Sequence, residues 1–231
     1  MKLYYDLHIH SALSPCGDMD MTPNNIVNMS LIKGLDIIAV SDHNSVGNVR
    51  SCMKVAEGKD IVVVPGMEVE TSEEVHVLCL FPDIECAEKM ERYVYDALGD
   101  IKNRPEIFGE QAFMDTEDEI CGTEEKLLVT ATSLCIDKVK TLADECGGVA
   151  VPAHLDRSSY SALSNLGMLP DIGFNTVEVS KKTRAENYAY LGKKIIQNSD
   201  AHYLEDISEP ECEIDLPEKS AKALIDWLKE G

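Results

Sequence analysis

Residues 6–10 read Asp6-Leu7-His8-Ile9-His10 and continue the apolar run Leu3-Tyr4-Tyr5. On an extended chain, side chains two positions apart share a face, so His8 and His10 at the end of a first strand can grip one cation. The chain holds six histidines, at 8, 10, 43, 76, 154 and 202, and the others also stand beside apolar runs. His43 follows Ile37 to Val40 in Ser41-Asp42-His43. His154 follows Val149 to Val151 in Pro152-Ala153-His154. Asp200-Ala201-His202 follows Ile195 to Gln197. Parallel α/β folds place their active sites at the rim formed by strand C-termini. A single histidine near a strand end is ordinarily a satisfied structural residue, but six beside one edge, with two H/D-x-H pairs, point to a metal cluster.

The runs Leu3–Tyr5, Ile37–Val40, Ile61–Val64, Val75–Phe81, Val149–Val151, Thr176–Val179 and Ile195–Gln197 alternate with helical stretches, which predicts a barrel or doubly wound sheet. His76 begins its run instead of ending it. A parallel crossover needs a dozen or more residues, and the link from Glu70 to His76 is shorter. It must be a hairpin, which returns His76 to the rim where Glu68 ends the third strand. Thr22-Pro23 reads as a helix N-cap and first position; Ile136, Val139, Leu142 and Ala143, then Gly147, read as an amphipathic helix with its terminal glycine. Ala221, Leu224, Ile225 and Leu228 predict a closing helix. Residues 99–133 break the rhythm with an acidic turn, Asp115 to Asp118, between two short extended pieces and a third at Lys126–Thr132. They are expected to form an inserted hairpin, either a surface excursion or a lid.

At 231 residues the chain fits one domain, residues 1–231. Hydrophobic residues make up 44% and the mean hydropathy is -0.15, with no apolar run near the ~20 residues of a membrane span. Met1-Lys2-Leu3 leads straight into the histidine pair, unlike a secretory leader, and the eight cysteines contain no C-x-x-C pair. Reduced thiols in the cytoplasm are expected. The formal net charge of -21 opposes binding along a nucleic-acid backbone, so the expected partner is a small phosphorylated molecule and not long nucleic acid. Bound cations would invert the local field for such a ligand.

The ordered segments Asp6-Leu7-His8-Ile9-His10-Ser11, Ser41-Asp42-His43-Asn44, Gly66-Met67-Glu68, Ala153-His154 and Ser199-Asp200-Ala201-His202 resemble the signature motifs of the PHP (polymerase and histidinol phosphatase) superfamily across almost the whole chain. The resemblance implies a distorted (β/α)7 barrel with two or three divalent ions in a cleft. It assigns His8, His10, Glu68 and Asp200 to one ion, lets Glu68 bridge to a second held by His76 and His154, and gives His43 and His202 to a third. The family usually supplies a His or Asp shortly after the H-x-H pair; here that segment is Ser14-Pro15-Cys16-Gly17-Asp18-Met19-Asp20, so Cys16, or else Asp18 or Asp20, is the candidate. Imidazole and carboxylate donors suit Zn, Mn or Fe, and a thiolate would favour Zn or Fe.

Two ions sharing a carboxylate can bridge a water, lower its pKa and direct it at phosphorus, so a phosphoesterase acting on a phosphomonoester, nucleotide or cyclic phosphodiester is expected. The expected catalytic set is Glu68, Arg157 and Asp42. Asp42, like Asp6, is expected to support imidazoles from behind. Arg157, three residues past His154, offers a fork matched to phosphate, against the plainer alternative of an ion pair with Asp156. Glu70 shares the face of Glu68. Two competing readings are a metal-dependent amidohydrolase, disfavoured because Val75–Phe81 has no lysine to bridge metals, and a non-catalytic metal-binding module, disfavoured by the near-complete ligand set.

Overall fold

The computed structural model describes residues 1–230. Ten strands and seven helices follow in chain order: β1 (Lys2–Ile9), α1 (Pro23–Ile32), β2 (Ile37–Val40), α2 (Val49–Ala56), β3 (Val62–Glu70), β4 (His76–Leu80), α3 (Ile84–Ala97), α4 (Pro105–Phe108), β5 (Ala112–Met114), β6 (Ile120–Thr123), α5 (Ile136–Glu145), β7 (Val149–Pro152), α6 (Ala162–Leu166), β8 (Thr176–Ser180), β9 (Lys194–Asn198), β10 (Glu213–Asp215) and α7 (Ala221–Lys229). All seven runs expected to be strands are strands. The helix signals also hold: Thr22 accepts from Asn25 N, and Gly147 follows α5 with φ +84°.

Six strands form one curled sheet in the order β10-β1-β2-β3-β4-β7, and β8 pairs with β9 separately. β1, β2 and β3 run parallel, whereas β4 is antiparallel to both β3 and β7. The expected hairpin is present, with Glu70 opposite His76. A parallel bridge between Ile9 and Ala201 joins β1 to the end of β9, and Leu155 N donates to Glu178 O (2.9 Å) between β7 and β8. The seven strands thus return on themselves as a distorted α/β barrel with gaps in its ladder. Strand β10, an antiparallel edge on β1, went unanticipated because three residues of alternating burial carry almost no periodic signal.

Leu3, Tyr5, Leu7, Ile37, Ala39, Val64, Leu78, Leu80 and Val151 fill the barrel together with Leu224, Ile225 and Leu228 of α7. Helix α7 therefore plugs the end where the strands begin; Thr176 Oγ1, at the start of β8, donates to Leu228 O (2.7 Å). Along β3, Val64 and Glu68 share a face at period two, as Leu80, Leu78 and His76 do along β4. The apolar filling thus gives way to chemical groups at the open end. A second apolar cluster lies between the sheet and the outer helices, including Ile26, Val49, Ala87, Val139 and Leu142.

Residues 99–133 form the β5–β6 hairpin and one helical turn, α4. The third extended piece is reduced to isolated bridges, Leu98 to Thr132 and Lys102 to Lys126. Buried amides pin the insertion to the loop after β2: Asn48 Nδ2 donates to Ala112 O (2.9 Å), Met114 N donates to Asn48 Oδ1 (2.8 Å), and Asn44 Nδ2 donates to Leu128 O (2.7 Å). No helix among the described residues is long and apolar enough to cross a membrane.

Candidate metal centre

All six histidines converge on Glu68 and Asp200 at the open end of the barrel. His8, His10, Glu68 and Asp200 each offer one donor atom, and these lie within 4.8 Å of one another. Glu68 divides its two oxygens. Oε1 lies 3.0 Å from His76 Nδ1 and 3.1 Å from His154 Nε2, while Oε2 lies 3.1 Å from His43 Nδ1. His10, His43 and His202 form a third cluster. Of the groupings suggested by the resemblance, His8, His10, Glu68 and Asp200 lie together as expected; the cluster around the other side of Glu68 is His43, Glu68 and His76, with His154 beside it.

Hydrogen bonds behind the site settle which nitrogens face inward. Ser14 Oγ donates to Asp42 Oδ1 (2.7 Å), so it accepts from His10 Nδ1 (2.9 Å), leaving His10 Nε2 as a lone pair. That lone pair points at Asp200 Oδ1 (3.0 Å) and at His8 Nε2 (3.3 Å). His8 Nδ1 is held from behind by Glu178 at 3.0 and 3.1 Å, which also turns its Nε2 inward. At these distances the facing groups need a proton or a cation between them; against burial, the charges of Glu178, Asp200 and Glu68 hold His8 well above its ordinary value, and Glu68 and Glu70 push His76 up to about 9. Among the described residues His43 Nδ1 and Asp200 Oδ2 are buried without a well-formed hydrogen bond, each meeting one charged neighbour instead, Glu68 Oε2 at 3.1 Å and Arg157 Nη2 at 2.6 Å. Buried donors left this open fit divalent ions.

The electrostatics agree. Burial opposes ionisation of Glu68, yet the imidazoles of His76, His8 and His43 outweigh it and hold the carboxyl well below its ordinary range. Asp200 behaves likewise against His8 and His10. Burial and the surrounding imidazoles keep His43 well below its ordinary value and His202 down to about 4, which leaves both as neutral donors. His154 and Asp200 both adopt positive φ, +30° and +53°, as does Asn44 at +51° beside His43. Non-glycine residues pay for that conformation, and such strain concentrates at functional sites.

Several expected positions need correction. Cys16 belongs to none of the three clusters and is exposed on its loop. Asp42 is fully buried, accepting from Ser11 N (2.7 Å), Ser11 Oγ (2.6 Å) and Ser14 Oγ (2.7 Å); it reaches His10 only through Ser14 and does not line the opening. Asp6 accepts from Ser199 N (3.1 Å) and Ser208 N (2.9 Å), so it anchors the segment bearing Asp200 instead of an imidazole. Arg157 does not pair with Asp156. Its Nη2 lies 2.6 Å from Asp200 Oδ2. Asp200 and His202 meet through a turn past the end of β9.

Glu178 and Tyr160 were missed. Glu178 interrupts Val177-Glu178-Val179 in a strand buried on both faces, and a carboxylate there must have a partner; that was the available signal. Tyr160, whose ring stacks on His76 at 4.8 Å, had none.

The PHP domain family model matches residues 6–226, and the chain belongs to that family. An uncharacterized protein of Methanocaldococcus jannaschii is 33% identical over 88 residues, covering 34% of this chain and 52% of that protein. The lesion-specific endonuclease Q of Pyrococcus furiosus superposes with TM-score 0.76 at 18% identity, over 99% of this chain and 56% of that one. Endonuclease Q in complex with a 27-mer duplex bearing an abasic lesion at its active site superposes with TM-score 0.69 at 19% identity, over 88% and 50%. A two-domain Bacteroides vulgatus protein containing a predicted PHP-like metal-dependent phosphoesterase gives TM-score 0.62 at 15% identity, over 99% and 63%. This chain thus spans about half the length of the first of these relatives. The same fold occurs in a Bifidobacterium adolescentis protein inferred to be a metal-dependent phosphoesterase, with TM-score 0.56 at 17% identity over 86% of this chain and 87% of that one.

The expectation that acidity excludes long nucleic acid is overturned, because the same fold engages a DNA duplex in endonuclease Q. Net charge sums the whole surface, whereas docking depends on one face and on the ions bound there.

Proposed function

We propose that this protein hydrolyses a phosphoester at the Glu68 and Asp200 cluster. The observation that carries the reading is Glu68 itself, a buried carboxylate whose two oxygens serve different imidazoles. His8, His10, Glu68 and Asp200 would hold one divalent ion, and Glu68, His76 and His154 a second. His10, His43 and His202 would hold a third. When bound, such ions acidify water and neutralise phosphate oxygens; nitrogen and carboxylate donors suit Zn, Mn or Fe.

The chain's own groups do the rest. Glu178 and the Ser14–Asp42 pair fix the rings of His8 and His10, so the donors need not reorganise. Arg157, half exposed at the mouth beside Asp200, can swing its guanidinium onto a phosphate in bidentate fashion. Near-complete burial of His8, His10, Glu68 and His154 keeps bulk water from the reacting centre. Arg157 and His202 are more exposed than the buried donors, so an exposed phosphate group would approach from their side. A phosphomonoester, a nucleotide, a cyclic phosphodiester or a strand presenting its backbone all meet that requirement.

The test is p-nitrophenolate release from p-nitrophenyl phosphate and bis-p-nitrophenyl phosphate by protein loaded in turn with Zn, Mn and Fe. Metal-dependent turnover that disappears in Glu68→Gln supports the reading. Stoichiometric metal binding without hydrolysis of any phosphoester would leave a metal-binding module.

A further inference from the structure

Between Val179 and Ser199 the chain carries Lys181, Lys182, Arg184, Lys193 and Lys194 against a single acid, Glu186, in a protein of net charge -21. The first three follow β8 directly, at the end of the sheet where β7 delivers His154 and Arg157. This loop is built, not loose. Asp156 accepts from Ser180 N (2.8 Å), Ser180 Oγ (3.1 Å) and Thr183 Oγ1 (2.5 Å), and Gln197 Nε2 donates to Thr183 O (2.7 Å). Burial would raise the Asp156 carboxyl, but these donors prevail and hold it below its ordinary range. Lys182 and Arg184 are exposed and form no ion pair among the described residues, although most of the chain is acidic.

On the β7 side of the same rim, Tyr160 sits at φ +56°, and its carbonyl accepts from His76 N (2.9 Å). Its ring stacks on His76 with 26° between planes and is 45% exposed. A tyrosine held in the left-handed region so as to lay its ring over a candidate ligand presents aromatic surface at the mouth of the site.

We propose that the β7–β8 rim is a docking track for a single strand of nucleic acid, with Lys182 and Arg184 on backbone phosphates and Tyr160 stacking an unpaired base beside the phosphate at the metal centre. The track serves the phosphoesterase reading and rests on it. Charge complementarity selects the occupant. An isolated phosphate at the mouth needs only Arg157, whereas Lys182 and Arg184, on the loop after β8, would engage a ligand with phosphates in series. Cations along a path with an exposed ring beside it are the recurring means of holding single strands. At physiological salt the Debye length is about 8 Å, so acidic faces elsewhere on the barrel are screened from the strand.

The experiment measures anisotropy of a fluorescein-labelled, phosphorothioate-linked single strand of about 20 nucleotides, which resists hydrolysis, titrated with metal-loaded protein over a range of salt. Lys182→Ala/Arg184→Ala should weaken binding about tenfold and reduce the salt slope by about 1.4, two contacts at about 0.7 each. Tyr160→Ala should weaken binding about tenfold, with Tyr160→Phe close to wild type. Lys222→Ala, on α7 at the plugged end and paired with Asp226, should change nothing. Melting temperatures confirm that each variant is folded. Absence of strand binding by the wild type at low salt, or equal affinity in all variants, overturns the track. Hydrolysis of bis-p-nitrophenyl phosphate by the wild type separates the two failures. Turnover without strand binding removes the track alone, and binding without turnover removes the phosphoesterase reading alone.

Discussion

Arg157 and Asp200, carried by loops that follow different strands, meet at the mouth of the cluster with Nη2 2.6 Å from Oδ2. The pair leaves Arg157 poised between a candidate ligand and incoming phosphate. Arg157→Ala should keep its fold and metals yet lose on the order of a hundredfold in kcat/KM, the size expected for a charge-assisted phosphate contact. Arg157→Lys should recover part of this, since a point charge cannot reproduce the fork. Unchanged kinetics would reduce Arg157 to a surface partner of Asp200.

Glu178 holds His8 from behind, and partners of that kind typically contribute 10–100-fold in metal affinity. Glu178→Gln should therefore bind metal about tenfold or more weakly in a chelator competition, while the far-ultraviolet circular dichroism stays as in wild type. Wild-type affinity would show that packing alone orients the ring.

Cys16 stands outside all three clusters. Metal content measured by elemental analysis should be the same in Cys16→Ala as in wild type, and alkylation of the thiol should proceed at the same rate with and without chelator. Protection of the thiol by metal would reinstate it as a ligand.

Gly109 has φ +101°, and a Cβ there would run into the Pro15 carbonyl. The insertion thus rests its backbone on the loop that carries Ser14 and Cys16. Gly109→Ala should destabilise the protein by about 1–3 kcal/mol, combining left-handed strain with the clash. Denaturant unfolding measures this, and a cost near zero would mean that the insertion slides freely on that loop.

Asp156 ties Ser180 and Thr183 to the end of β7. Because its folded pKa is depressed, its contribution to stability is present above the ordinary value of 3.8 and is lost as pH falls through the folded value. Asp156→Asn should be less stable than wild type at neutral pH, and the difference should shrink in acid below pH about 4. A constant difference down to strong acid would show that hydrogen-bond geometry, not charge, matters there.

Local pattern was enough to locate the seven barrel strands, the helices opening at Thr22 and closing at Gly147, and the histidine rim, because burial imposes a period of 2 or 3.6 on neighbouring residues. Even the reversal of β4 was legible, since the Glu70 to His76 link is too short for a parallel crossover. Closure of β1 against the end of β9, the seating of Glu178 behind His8, the position of Cys16 outside the clusters, and the pairing of Arg157 with Asp200 were not. Each joins residues whose separation in space depends on how distant strands pack around one barrel, and no local period encodes that. The same holds for charge: the chain's acidity follows from its composition, but the gathering of Lys181, Lys182 and Arg184 on the rim beside Arg157 arises only once β7 and β8 lie side by side.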